Sequence, residues 1–444
     1  MHTDLLLSSS RKFIISSLFY FLAMNSFAQK KEPIFSARKS DPVKMGWMQG
    51  FPPPKDKILS VADGSFFNFP ALRWSVVNMR QLMPTVNVSR GLQAPSPLSY
   101  QLDENIDSIH FLPWGAKTEM TWEASLWKNY TDGIIILHKG QVVYEKYFGA
   151  LKDDRVHAVM SLSKSFAGTL ASMLVADGLL DENKLVSFYV PELKASAFGD
   201  ATVREVMDMT TALKYSEDYA NPKAEIWAFS AAGNPLPKPK DYKGPIGYYA
   251  YLETVKKQGV HGQAFGYKTV NADALGWIIS KVTGKSVAEL LSEKIWSKIG
   301  MEQSAFYQVD ALGIPFAGGG FNAGLRDLAR FGELILNNGK WNGEQIIPQQ
   351  AVADIEKGGS KEKFAKSGHP LLKGWSYRDM WWITENAHHA FTARGVYGQT
   401  IYIDPTADMV IVRLASQPVA DNSNNDPWSL PAYAAVADYL MNKK

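Results

Sequence analysis

Ser161 and Lys164, in the segment Val159-Met160-Ser161-Leu162-Ser163-Lys164-Ser165-Phe166, have the types and the spacing for nucleophilic chemistry. Residues three apart on a helix share a face, with Cβ atoms about 5–6 Å apart, so the Lys164 amine can reach the Ser161 hydroxyl. A serine hydroxyl attacks poorly unless a neighbour takes its proton, and a lysine can take it only where burial or nearby cations lower its pKa. The pair therefore points to acyl transfer through a serine ester. The competing account is a serine that caps a helix and a solvated lysine in its first turn, serine being a favoured N-cap. The same spacing recurs at Ser9/Lys12, Ser36/Lys39 and Ser360/Lys363. Only Ser161 precedes a long apolar helical pattern, Phe166, Leu170, Met173 and Leu174, for which Gly178 is the expected stop.

Tyr267, in Phe265-Gly266-Tyr267-Lys268-Thr269, is expected in a loop just ahead of a helix. A buried phenol near cations can have its pKa lowered and relay protons between an attacking serine and a leaving amine. Its alternative is ordinary aromatic packing with the hydroxyl satisfied by backbone. Other chemistries fit less well. The eight histidines form no His-Glu-x-x-His pair and no cluster with metal spacing, so no metal and no cofactor is expected. There is no Gly-x-Ser-x-Gly elbow. Gly318-Gly319-Gly320 lacks a phosphate-loop lysine and reads as a tight turn before a helix, and His388-His389 reads as strand surface.

The elements that must position these residues follow from the wider pattern. From Gly133 the chain reads as a hairpin, 133–138 and 141–147, turning at Lys139-Gly140. The centre is helical, with capping boxes at Thr202/Glu205 and Ser286/Glu289 and helices over 271–283 and 325–337. Strands return over 380–384, 391–395, 400–404 and 409–414, before a final helix over 431–442. This order implies an α/β (α+β) fold: one antiparallel sheet from both chain ends, flanking helices, and a helical insertion over roughly 185–345. The proline-rich stretch 234–241 should be a loop. Residues 29–115, rich in aromatics and proline, read as an arm wrapping a main domain over 116–444.

The chain of 444 residues is 46% hydrophobic and 20% charged, with a formal net charge of +3, so nucleic acid is not an expected partner. Arg11 and Lys12 precede the apolar stretch 13–27, and Ser26-Phe27-Ala28 supplies small residues at a cleavage site. Residues 1–28 therefore read as a signal peptide, leaving no stable membrane span and a periplasmic or secreted protein. The absence of cysteine removes disulfides, thiolate metal sites and a cysteine nucleophile together.

Taken in order, these segments resemble the serine β-lactamase and penicillin-binding superfamily, in particular its class C-like branch of esterases, D-aminopeptidases and 6-aminohexanoate-dimer hydrolases. The resemblance runs through Ser161-Leu162-Ser163-Lys164, Met207-Asp208-Met209-Thr210-Thr211-Ala212-Leu213, Tyr267, Asn322-Ala323-Gly324-Leu325-Arg326-Asp327-Leu328 and Gly395-Val396-Tyr397-Gly398-Gln399. The arm is similar to that of the dimer hydrolases in Gly46-Trp47-Met48-Gln49-Gly50-Phe51-Pro52-Pro53 and Phe69-Pro70-Ala71-Leu72-Arg73-Trp74. The resemblance implies Ser161 as acylated nucleophile, Lys164 as base and Tyr267 as proton relay, with an oxyanion hole from the backbone N–H groups of Ser161 and Val396. It implies a small amide substrate of the 6-aminohexanoate-dimer kind, with Tyr219 closing over it and Asn322 bonding a carbonyl or capping the helix at 325. Glu217 and Asp218 are equal candidates for holding a substrate ammonium. Two departures, Tyr267-Lys268-Thr269 for Tyr-x-Asn and no late Lys-Thr-Gly, argue against strong β-lactamase activity. The alternatives are a carboxylesterase or D-amino-acid amidase on the same fold, and a non-catalytic ligand sensor.

Overall fold

The computed structural model describes residues 35–443; the export signal expected over 1–28 and the Ser9/Lys12 pair lie outside the described residues. Apart from two isolated two-stranded ribbons, the strands in chain order are β1 (Thr85–Val88), β2 (Ser99–Tyr100), β3 (Thr131–His138), β4 (Gln141–Tyr147), β5 (Val156–Ala158), β6 (Ala305–Gln308), β7 (Phe321–Gly324), β8 (Ser376–Arg378), β9 (Trp381–Ile383), β10 (Phe391–Gly395), β11 (Gln399–Asp404) and β12 (Met409–Ala415). The helices used below are α1 (Ser163–Ala176), α2 (Val203–Met207), α3 (Val270–Thr283), α4 (Val287–Leu291), α5 (Leu325–Leu336) and α6 (Asp426–Asn442).

The main sheet runs β8-β9-β10-β11-β12-β3-β4-β2, so strands from late in the chain pair with the early hairpin, as expected. Lys139 and Gly140 both take positive φ, the turn geometry that matches the twist of a two-residue hairpin. Along β3 the side chains alternate between two cores. Ile135 and Leu137 join the large one, on the α5 side, whereas Ile134 and Ile136 join a smaller one with Tyr433 and Val436 of α6. Helix α5 lies so close to the sheet that a Cβ on Gly332 would meet Val410 at 2.5 Å.

A second sheet, β1-β6-β7-β5, corrects the expectation of one sheet. Two of its strands, β6 and β7, fall inside the supposed helical insertion, and β1 comes from the arm, which also adds β2 in parallel to β4. These strands are two to four residues long, too short for alternation to show, and they exist because partners complete their hydrogen bonds. The arm is therefore woven into both sheets. Both capping boxes form as read, and Gly178 and Gly284 stand in left-handed geometry just past α1 and α3. The last helix starts at Asp426, earlier than predicted, with Pro431 inside it. Among the described residues no helix is long and apolar enough to cross a membrane.

Candidate active site

Strand β5 delivers the chain into a single 3-10 turn, Met160–Leu162, and α1 begins at Ser163. Met160 sits at φ 52°, a left-handed conformation that costs a non-glycine residue about 1–2 kcal/mol, so the turn is held from outside. Ser163 supplies the brace: its Oγ donates to the Met160 carbonyl at 2.6 Å and accepts from the Phe321 N–H at 3.0 Å. The N-cap of α1 is Leu162, with no side-chain cap. The account of Ser161 as a helix cap is thereby corrected. Ser360 shows what that role looks like, since its Oγ accepts from the Lys363 N–H at 3.1 Å at the start of a short helix.

Nor is Lys164 solvated. Its side chain is 1% exposed, and Nζ donates to Ser161 Oγ at 2.8 Å and to the Gly318 carbonyl at 2.5 Å. Burial pulls its pKa down from 10.5 to about 8, against the pull of Glu217 and Asp273 in the other direction. The Gly318-Gly319-Gly320 turn leads into β7 and not into a helix. It needs glycine because a Cβ on Gly318 would meet Thr269 at 2.5 Å and Asp273 Oδ2 at 2.8 Å.

Tyr267 brings its hydroxyl near enough to Ser161 for the two to act on each other, and the Lys164 Nζ lies 5.1 Å from its ring centre. The loop that carries it is tied by Gly266 N–H to the Met209 carbonyl at 2.9 Å, and its ring packs 5.4 Å from Trp382. The expected lowering of its pKa is not found: burial pushes it up, with Glu217 adding to the rise, and Ser161 and Arg394 oppose too weakly. The phenol thus stays protonated at neutral pH and is a hydrogen-bond donor.

The other predicted residues divide. Gly395, just before Val396, is pressed on the nucleophile turn so closely that a Cβ there would meet the Val159 carbonyl at 2.4 Å. Tyr219 packs edge-on against Trp227 with centroids 6.0 Å apart, and burial, with Glu217 nearby, pushes its hydroxyl well above the usual tyrosine range. Tyr397 takes Phe67 of the arm against its ring at 5.8 Å. Asn322 is corrected: it is fully buried on β7, its Nδ2 donates to the Gly320 carbonyl at 2.9 Å, and Gly324 is the N-cap of α5. It therefore neither caps that helix nor meets solvent. The acidic pair separates as well. Glu217 accepts from the Thr269 N–H and lies close enough to Lys164 to act on its charge, whereas Asp218 is exposed and accepts from Ala220 N–H in its own turn. His388 and His389 stand in the connection between β9 and β10, where His388 Nδ1 is 2.8 Å from Asp404 Oδ2.

Asp273 was missed. It lies on α3 six residues after Tyr267, 1% exposed, with Oδ1 accepting from Gly318 N–H at 3.3 Å. A signal was present: Val270, Asp273, Ala274 and Trp277 share one helical stripe, so an acid interrupts the apolar face. Among the described residues no cluster of three or more His, Asp or Glu could hold a metal ion. The arrangement can accept a proton from Ser161 at Lys164 and offer one from Tyr267 close by.

A family model described as Beta-lactamase matches residues 124–434. The chain belongs to the beta-lactamase family. It is accordingly a hydrolase with the β-lactamase/transpeptidase-like fold, its two sheets, antiparallel except for the β2–β4 pair, flanked by helices. Within the family it is 33% identical over 355 residues to the 6-aminohexanoate-dimer hydrolase of Paenarthrobacter ureafaciens, covering 79% of this chain and 87% of that protein. A solved structure from Bacillus anthracis, a candidate 6-aminohexanoate-dimer hydrolase, is 35% identical with a TM-score of 0.77, covering 85% of this chain and 96% of that one. A class C beta-lactamase structure shares the fold at 20% identity and a TM-score of 0.51, covering 72% and 94%.

Proposed function

We propose that this beta-lactamase-family hydrolase cleaves a small linear amide of the 6-aminohexanoate-dimer kind through an acyl-enzyme on Ser161. The observation that carries the reading is the 2.8 Å bond between Lys164 Nζ and Ser161 Oγ in a buried setting. In the neutral form Lys164 takes the Ser161 proton as Oγ attacks the amide carbon, and the carbonyl electron pair moves onto oxygen. Backbone N–H groups of Ser161 and Val396 receive that oxyanion. Tyr267 gives its hydroxyl proton to the leaving amine nitrogen as the C–N bond breaks and regains a proton from Lys164. Water then enters by the reverse relay and releases the acid. The substrate class is supported by the 33% identity to a 6-aminohexanoate-dimer hydrolase, and in this reading Tyr219 and Glu217 are the side chains that would meet such a ligand. The amino-terminal pattern and the lack of cysteine support action in the periplasm or outside the cell.

Exposure to a fluorophosphonate followed by mass spectrometry should label Ser161 in the wild type and leave Ser161→Ala unlabelled at close to unchanged thermal stability. Purified protein should turn over linear 6-aminohexanoate dimer with a higher kcat/KM than short p-nitrophenyl esters. The reverse order would make it an esterase. No labelling of Ser161 in folded protein would leave a ligand sensor as the better account.

A further inference from the structure

The peptide that joins Gly395 to Val396 carries the N–H read above as the second oxyanion donor. Its other polar atom, the Gly395 carbonyl, accepts from Asn422 Nδ2 at 3.0 Å. Asn422 belongs to the short turn Asn422–Asn424 between β12 and α6, outside the sheet. A carbonyl can only accept, so the Asn422 amide has one orientation: nitrogen toward Gly395, oxygen toward Asn425, whose Nδ2 donates to Asn422 Oδ1 at 3.2 Å. Asn425 is itself buried at the start of α6. The next peptide is held as well. Gln399, fully buried, donates from Nε2 to the Val396 carbonyl at 3.2 Å and to the Ala415 carbonyl at 2.6 Å, and its Oε1 accepts from the Ala415 N–H at 3.0 Å. Tyr397 stands at φ 65°, a left-handed conformation, with its N–H on the Ala420 carbonyl at 3.0 Å and its carbonyl on the Gln417 N–H at 3.2 Å. Two side-chain amides thus hold consecutive peptides, one on each side of the Val396 Cα.

Resting on the reading of Val396 as an oxyanion donor, we propose that Asn422 is a positioning residue, which aims the Val396 N–H at the reacting oxygen. The peptide is trans and planar, so its C=O and N–H point in opposite directions. Fixing the carbonyl on Asn422 therefore fixes the direction of the N–H on the far side of the same plane. Gly395 also lies against the nucleophile turn, where a Cβ would meet the Val159 carbonyl at 2.4 Å. Backbone contact thus sets the distance to that turn, and Asn422 sets the tilt. A bond to the carbonyl also polarises the amide, which makes the N–H a stronger donor. As Ser161 Oγ bonds to the substrate carbon, the carbonyl electron pair moves onto oxygen, and a donor already aimed there needs no reorganisation at that moment. Asn422 acts through the peptide and does not touch the substrate.

The test uses the full chain labelled at Ser161 with a fluorophosphonate. Oγ bonds to phosphorus as fluoride leaves, and the phosphoryl oxygen takes the place of the oxyanion, so the phosphorus NMR resonance of the adduct reports the donors on that oxygen. In wild type the resonance should differ between the folded and the urea-denatured adduct. Asn422→Asp keeps an oxygen for Asn425 and loses the donor to Gly395. Asn422→Leu loses both, carries no charge and stands in if the Asp variant does not fold. In each folded variant the resonance should move toward the denatured position, and the limiting labelling rate should fall by about tenfold or more. The reagent concentration for half-maximal rate and the pH at which labelling rises should both stay at wild-type values, because Lys164 keeps its surroundings. A resonance that stays at the wild-type position in the folded variants would overturn the proposal and leave Asn422 a packing role, whether or not labelling slows. A wild-type adduct whose folded resonance matches the denatured one would instead remove the oxyanion reading, and the proposal with it. No label on Ser161 in folded wild type would remove the nucleophile on which both rest.

Discussion

Lys164 departs furthest from the ordinary behaviour of a lysine in the first turn of a helix. Its stem and ammonium are enclosed, and the fold returns only one hydroxyl, one carbonyl and two neighbouring carboxyl groups for the lost water. Tyr267 shows the opposite shift from the same cause, because burial disfavours whichever form is charged: ammonium for lysine, phenolate for tyrosine. One group becomes a better base near neutral pH and the other remains a proton donor. Acylation should therefore rise about tenfold per pH unit below about 8 and flatten above it, as the amine loses its proton. A flat rate of Ser161 labelling between pH 5 and 8 would contradict this. The sign for stability follows. The native value lies under that of free lysine, so between about 8 and 10.5 the unfolded chain holds the proton more tightly and stability rises with pH. Below about 8 the cost of the buried charge is fully present. Lys164→Met should thus abolish labelling at pH 7 while giving a Tm no lower than wild type. A clear fall in Tm would show that the ion interactions outweigh the burial cost.

Helix α1 is fixed against the rest of the molecule at close quarters. A Cβ on Gly168 would lie 2.0 Å from the Asp379 carbonyl in the β8–β9 turn, Ser165 Oγ donates to the Met380 carbonyl at 2.8 Å, and Trp381 Nε1 donates to Thr169 Oγ1 at 3.2 Å. On its other flank Phe166 stacks on Phe331 of α5 at 4.2 Å. The turn that touches the helix is itself tethered, since Arg204 of α2 pairs with Asp208 and Asp379, and Arg378 pairs with Asp208 and Asp354. The obstruction at Gly168 is backbone, which cannot swing aside like a side chain. Gly168→Ala should destabilise the protein by about 1–3 kcal/mol and slow Ser161 labelling, because the helix must shift to admit the methyl group. Denaturant unfolding and labelling kinetics on one preparation would check both parts. A variant that kept wild-type values in each would show that the contact yields easily.

At the scale of the whole molecule, Arg73 joins the arm to the body. It is 2% exposed; Nη2 donates to Asp132 of β3 at 2.9 Å, Nη1 donates to the Ala37 carbonyl at 2.5 Å and to Ser40 Oγ at 3.1 Å, and Nε donates to Ser416 Oγ at 3.0 Å. Asp132 also lies 3.3 Å from His157 of β5, four residues before Ser161, so arm, main sheet and nucleophile strand share one buried cluster. Removing the guanidinium would strand the carboxylate. Arg73→Ala should cost about 3–5 kcal/mol in denaturant unfolding, and a loss under about 1 kcal/mol would mean that water enters and compensates.

The chain's order of elements, its hairpin, capping boxes and late strands, and the nucleophile helix were legible because each depends on neighbours within about a dozen residues. Side-chain alternation, turn residues at Lys139-Gly140 and serine or threonine caps are local causes. The pairing of Ser161 with Lys164 was legible for the same reason, being one helical turn apart. What only the tertiary structure decided depends on groups distant in sequence. The second sheet needed β1 from the arm and β6 and β7 from the middle of the chain. Asn322 was claimed by the interior of that sheet, and Asp273 was brought to Lys164 by the Gly318 turn. The directions in which Lys164 and Tyr267 shift could not be read from spacing, because they follow from how much water the whole fold excludes around them.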